Sequence, residues 1–133
     1  MRVRAALRAA AGAAVVAVLA ASCSSDGNEV SMDNSHRFEP GTLTISVGEQ
    51  VSWVNAGSEA HTVTAYEDGL PEGADYWASG GAPSEEAARE DLAQGLMKEG
   101  QSFEVTLDEP GTYRYFCIPH EDDDMKGTIV VEG

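Results

Sequence analysis

Cys117 and His120 enclose Ile118-Pro119, and Met125 follows after Glu121-Asp122-Asp123-Asp124. A thiolate, an imidazole and a thioether this close together are a short list of ligands for one soft metal. Sulfur favours Cu(I), imidazole serves Cu(I) and Cu(II), and a trigonal site with a weak axial thioether suits electron transfer. The missing donor in the plane is a second imidazole, and His61 opens the strand-like run 61–65. Taken alone, each residue has a plainer reading. Cys117 could be a buried structural cysteine, His61 a surface residue at a strand end, and Met125 ordinary core.

Such a set needs a frame, and the pattern from residue 37 onward is one of short strands punctuated by turns. Residues 43–47 alternate apolar and polar between Pro40-Gly41 and Gly48-Glu49. Runs 51–55, 103–107, 113–117 and 127–131 read the same way, with Glu109-Pro110-Gly111 as a further turn. His61, Val63 and Ala65 share one face of their run, because side chains alternate along a strand. Many short alternating strands predict an antiparallel sandwich or barrel. Residues 66–100 do not read as sheet. Ser84 could cap a short helix, with Glu85 and Glu86 in its first turn and Ala88, Leu92 and Leu96 on one face. Gly95 would stop it. Tyr76, Trp77 and Met97 are the apolar anchors expected to pack under this insert, and a lid over the metal is the lesser alternative.

The segments 48–55, 60–63, 111–120 and 125–131 resemble the small blue-copper proteins, the plastocyanins, and most closely their halocyanin-like and plastocyanin-like members. The resemblance covers roughly Phe38 to Glu132 and is weakest over the insert. It implies an all-β, Greek-key β-sandwich of cupredoxin type with a loop and short-helix insert. One type 1 copper would sit at one end, bound by His61, Cys117 and His120 in a plane and by Met125 on the axis. Many relatives carry Asn where this chain has Thr62. The Thr62 backbone N–H could bond the cysteine sulfur, and its hydroxyl could tie the two ligand loops. Relatives usually carry small or apolar residues where residues 121–124 are acidic. Those acids could dock a basic partner or be a solvated loop of a very acidic protein. His36 borders the domain and reads as an exposed strand residue.

The amino terminus reads separately. Arg2, Arg4 and Arg8 precede the uncharged run 9–21, which is too short to span a bilayer comfortably. It ends in Leu19-Ala20-Ala21-Ser22-Cys23. This reads as a secretory signal, residues 1–22, with a lipoprotein-type cleavage box. Leu19 lies one place further from Cys23 than is usual. Ordinary cleavage nearby and an uncleaved anchor are the alternatives. Residues 23–36 would then be a lipidated cysteine and a polar tether, and 37–133 the domain with its insert 66–100. The two cysteines, one for lipid and one for metal, leave no disulfide to form.

The formal charge is −15 over 133 residues. Without Arg2, Arg4 and Arg8, five basic side chains face 23 acidic ones, a balance of −18. Such a surface excludes nucleic acid as a partner. It fits electrostatic steering to a basic partner, or solvation in salt. The sequence thus points to a monomeric, exported, membrane-tethered one-electron carrier working between a donor and acceptor such as a cytochrome, an oxidase or a reductase. An extracytoplasmic module for copper storage, delivery or sensing is the alternative, although no Met-rich or His-rich tract supports it. A copper enzyme on this fold would need further histidines for additional centres, and the chain has three in all.

Overall fold

The computed structural model describes residues 28–133. The signal sequence, Cys23 and the first part of the expected tether lie outside that range. Eight strands form two four-stranded sheets. They are β1 (Glu29–Met32), β2 (Phe38–Glu39), β3 (Thr42–Ser46), β4 (Gln50–Asn55), β5 (Thr64–Ala65), β6 (Ser102–Thr106), β7 (Gly111–Phe116) and β8 (Lys126–Glu132). One sheet runs β2-β1-β4-β6 and the other β3-β8-β7-β5.

Alternation decides which way each strand faces. Val51, Trp53 and Asn55 of β4 are buried while the residues between them are not, and Gly127, Ile129 and Val131 of β8 repeat the pattern. Period-two burial is what one solvated face and one core face require. Trp53 packs edge-on against Tyr115 at 5.3 Å, and Phe38 does so at 4.7 Å, so aromatic rings from both sheets meet across the core. Each such ring contributes about 1.5–3 kcal/mol by leaving water. Gly127 has no side chain because a Cβ there would collide with the ring of Tyr115.

Three expectations are corrected. The sandwich is not wholly antiparallel: β1 runs parallel to β4, and β3 parallel to β8. Other strands separate the members of each parallel pair along the chain, and they supply the long crossover that parallel neighbours need. The stretch 23–36 is not a tether to its end. Residues 29–32 form β1 in the middle of a sheet, with Val30 and Met32 in the core. Their alternation is short and borders polar residues, so local composition hid it. The insert also contributes strand pairing, because Ala78 bridges Thr64 and Met97 bridges His61.

Within the insert the helix breaks. Helix α1 spans Glu85–Glu90 and α2 spans Leu92–Gly95. Ser84 caps α1 as the sequence suggests, its Oγ accepting from the Ala87 N–H at 3.1 Å. Trp77 and Met97 are buried and join the core, and Tyr76 packs against it, so the insert's anchors act as packing residues.

Candidate metal centre

Strand β7 ends at Phe116, and Cys117 follows with a fully buried side chain. The next residues coil into a short 3₁₀ turn, Ile118–Asp123, with Pro119 at its start. Asp124 closes the turn in the left-handed region at φ 65°. Two backbone bonds staple the loop: Cys117 N–H donates to Met125 C=O at 3.0 Å, and Met125 N–H to His120 C=O at 3.2 Å. Met125 is fully buried. The thiol, the imidazole and the thioether are thus carried on one closed loop.

His61 comes from the other side. Asn55, fully buried at the end of β4, organises its approach. The Asn55 amide donates to the carbonyls of Glu59 and Met97 and accepts from the Gly57 N–H. Met97 in turn exchanges both backbone bonds with His61, at 3.2 and 2.7 Å. Sequence reasoning missed Asn55. Its only signal was a polar residue ending an otherwise alternating strand.

The three donor atoms converge. Cys117 Sγ lies 3.3 Å from His120 Nδ1 and 3.7 Å from His61 Nδ1, and the two Nδ1 atoms are 3.2 Å apart. The centre of a triangle with these sides is about 2.0 Å from each corner, the length of a metal–imidazole bond and a little shorter than the roughly 2.3 Å of a metal–thiolate bond. The far nitrogen of His61 is engaged: Nε2 lies 2.9 Å from the Asp33 carbonyl. A proton on Nε2 satisfies that carbonyl and leaves the Nδ1 lone pair facing the sulfur. Metal-binding histidines are commonly fixed by such an outer contact.

The protonation states fit a metal. Burial first, and then His120 nearby, hold His61 below the ordinary histidine range. Burial first, and then His36, do the same for His120. Both rings are therefore neutral donors near neutral pH. Burial pushes the Cys117 thiol up, against backbone N–H bonds from Thr62 and His120 that lower it. A bound cation reverses that order by taking the sulfur as thiolate. The donor set thus suits a soft metal.

Thr62 does both things expected of it. Its N–H donates to Cys117 Sγ at 3.4 Å, and its Oγ1 accepts from the Ile118 N–H at 2.8 Å. His36 does not behave as an exposed strand residue. Its backbone is left-handed at φ 62°, and its ring stacks on His120 with centroids 3.8 Å apart. Glu59 and Asp123 take its two nitrogens at 2.6 and 2.9 Å, and they raise its pKa.

The acidic loop is partly structural. Glu121 accepts from Tyr66 and pairs with Arg89 of α1, while Asp123 holds His36. Asp124 lies 3.5 Å from Lys126. Arg89 also sits over the Phe116 ring, and Tyr66 stacks on that ring's face. The choice between docking and solvation therefore bears chiefly on Asp122 and Asp124, both exposed.

The sequence matches the copper-binding plastocyanin/azurin family over residues 22–132. It is 40% identical to plastocyanin of Scenedesmus fuscus over 95 residues, 71% of this chain and 86% of that protein. Against plastocyanin of Solanum tuberosum it is 36% identical over 99 residues, 74% and 91% of the two chains. Among solved structures, oxidised plastocyanin from Dryopteris crassirhizoma is similar at TM-score 0.55 and 29% identity, covering 78% of this chain and 99% of that one. Amicyanin from Paracoccus versutus is similar at TM-score 0.56 and 27% identity, covering 84% and 87%. With the family match spanning the whole sandwich and the segments that carry His61, Cys117, His120 and Met125, this chain belongs to the plastocyanin/azurin family of copper-binding proteins.

Proposed function

We propose that this protein is a one-electron carrier whose copper would be held by His61, Cys117, His120 and Met125. The triangle of one sulfur and two imidazole nitrogens, buried but for its His120 corner, carries the reading, because its size and neutral donors suit one soft metal. Copper bound there supplies the Cu(I)/Cu(II) couple. The protein's part is to keep one geometry for both states. Thr62 braces the sulfur and ties the His61 side to the Cys117 loop. Met125 is favoured as the fourth donor by its burial and its backbone bonds to Cys117 and His120. No substrate is transformed.

The full-length protein loaded with Cu(II) will be blue, from a short copper–thiolate bond. Cys117→Ala will abolish the band. Met125→Leu will keep copper and colour but raise the potential, since losing a weak thioether donor favours Cu(I). Stoichiometric Cu(II) without a blue band in the unaltered protein would refute the assignment.

The carrier works on the extracytoplasmic side, anchored by lipid on Cys23, and exchanges electrons as a monomer with a cytochrome, oxidase or reductase that presents basic groups. The cleavage box at residues 19–23 supports the anchor, and the net charge supports the partner's sign. Cys23→Ser will release the protein from membranes in fractionation while its spectrum stays unchanged. Equal membrane retention of that variant would rule the lipid out.

A further inference from the structure

We propose that His36 is a positioning residue of the metal centre, its ring laid on the outer face of His120 to hold that imidazole in its ligating orientation. The inference rests on His120 being a ligand. The two imidazoles of the site are oriented by different means. His61 is fixed by a hydrogen bond from Nε2 to the Asp33 carbonyl. Among the described residues His120 has no equivalent: the group facing its Nε2 is Glu59 Oε1 at 3.8 Å, beyond hydrogen-bond reach. His120 also sits at a kink inside the 3₁₀ turn, with non-helical backbone angles. Neither its outer nitrogen nor the regular turn fixes the ring's rotation.

The stack supplies what is missing. The His36 and His120 rings lie 3.8 Å apart and within 27° of parallel, so an outward swing of His120 runs into His36. His36 is itself immobilised. Glu59 and Asp123 clamp its two nitrogens from opposite loops, and the left-handed backbone at φ 62° aims the ring back over the site. Such a conformation is uncommon for residues other than glycine, and histidine is among those that adopt it more readily. Glu59 lies two residues before His61, and Asp123 three after His120. One imidazole thus joins both ligand loops from the solvent side.

Two substitutions separate stacking from general stability. His36→Phe keeps a flat ring over His120 and removes the clamp, whereas His36→Ala removes both. NMR of the metal-free, full-length protein reads the His120 rotamer directly, and chelator competition reads Cu(I) affinity. We expect one His120 rotamer in the unaltered protein and in His36→Phe, and rotamer averaging in His36→Ala. Cu(I) affinity should fall by about tenfold in His36→Ala, the lower end for losing an outer support. His36→Phe should recover most of it. A single His120 rotamer in metal-free His36→Ala with affinity within about twofold of the unaltered protein overturns the proposal. His120→Ala separates this failure from failure of the ligand assignment. If that variant keeps its copper and its blue band, His120 is not a ligand, and the functional reading falls with the inference.

Discussion

Thr62 shows how much one residue contributes when it faces two ways. Its N–H reaches the sulfur while its hydroxyl takes the N–H of Ile118, so it spans both ligand-bearing segments. Valine matches threonine in shape but cannot accept a hydrogen bond. Thr62→Val leaves the backbone bond to Cys117 in place and strips the Ile118 N–H of its partner. The Ile118 N–H is part-buried, so leaving it unpaired should cost about 1 kcal/mol, the low end for an unpaired donor. We expect denaturant melts of the metal-free protein to show that loss, with the blue band of the copper form retained. A variant as stable as the unaltered protein would mean that the Ile118 N–H finds another acceptor.

At the scale of elements, the insert is a buttress for the ligand loops. Trp77 and Ser79 pair backbone to backbone with residues 63–65, and Met97 pairs with His61. Ser79 Oγ accepts from the Val63 N–H and donates to the Gly95 carbonyl, joining the strand to the end of α2. Gly80 follows in the left-handed region, where a Cβ would collide with the Gln94 carbonyl. From α1, Arg89 reaches Glu121 and so fastens the insert to the metal-site loop. The Arg89 bond, with a further bond from Tyr66, holds the Glu121 carboxyl below its ordinary value of 4.5. A carboxylate with a depressed folded pKa stabilises above its unfolded pKa and loses that contribution as pH falls through the folded value. Glu121→Gln should therefore destabilise the metal-free protein at pH 7 by roughly 0.5–1 kcal/mol, since the pair is partly solvated. The gap should close in acid melts below about pH 4.5. A gap of constant size across that range would assign the loss to packing instead of charge.

At the scale of the whole molecule, the acidity is distributed, and much of it beside the site is already paired. Asp123 and Glu121 have structural partners, so neutralising them would disturb the site as well as its field. Asp122 and Asp124 are the cleaner probes, since both are exposed and the Asp124–Lys126 contact at 3.5 Å is a solvated one. Asp122→Asn with Asp124→Asn should slow electron transfer to small cationic complexes at low salt, after correction for any change in potential. In ~1 M salt the rates should converge, because the screening length shrinks to about 3 Å. Equal rates at low salt would show that steering belongs to the whole surface and not to this loop.

The proposed donor set was legible in the sequence because three of its members lie on one loop. Cys117, His120 and Met125 are brought together by local backbone bonds, and local spacing survives in a linear reading. Strand alternation was legible for the same reason, since a sheet face repeats every second residue. The dual role of Thr62 came from the family resemblance and not from the local pattern. What the sequence could not decide is long-range. β1 reads as tether because four residues bounded by polar ones carry too little pattern, and only pairing with β4 and β2 reveals a strand. The same segment then supplies Asp33 to His61 and His36 to His120. These contacts join residues 28 and 84 positions apart, and no local propensity encodes them. The insert's bridges to Thr64 and His61, and the structural pairing of two acids in the loop, were hidden likewise. Residue chemistry and short spacing named the metal, whereas the shell that holds its ligands still is set by tertiary packing, which brings distant polar groups within hydrogen-bond reach only after the sandwich has closed.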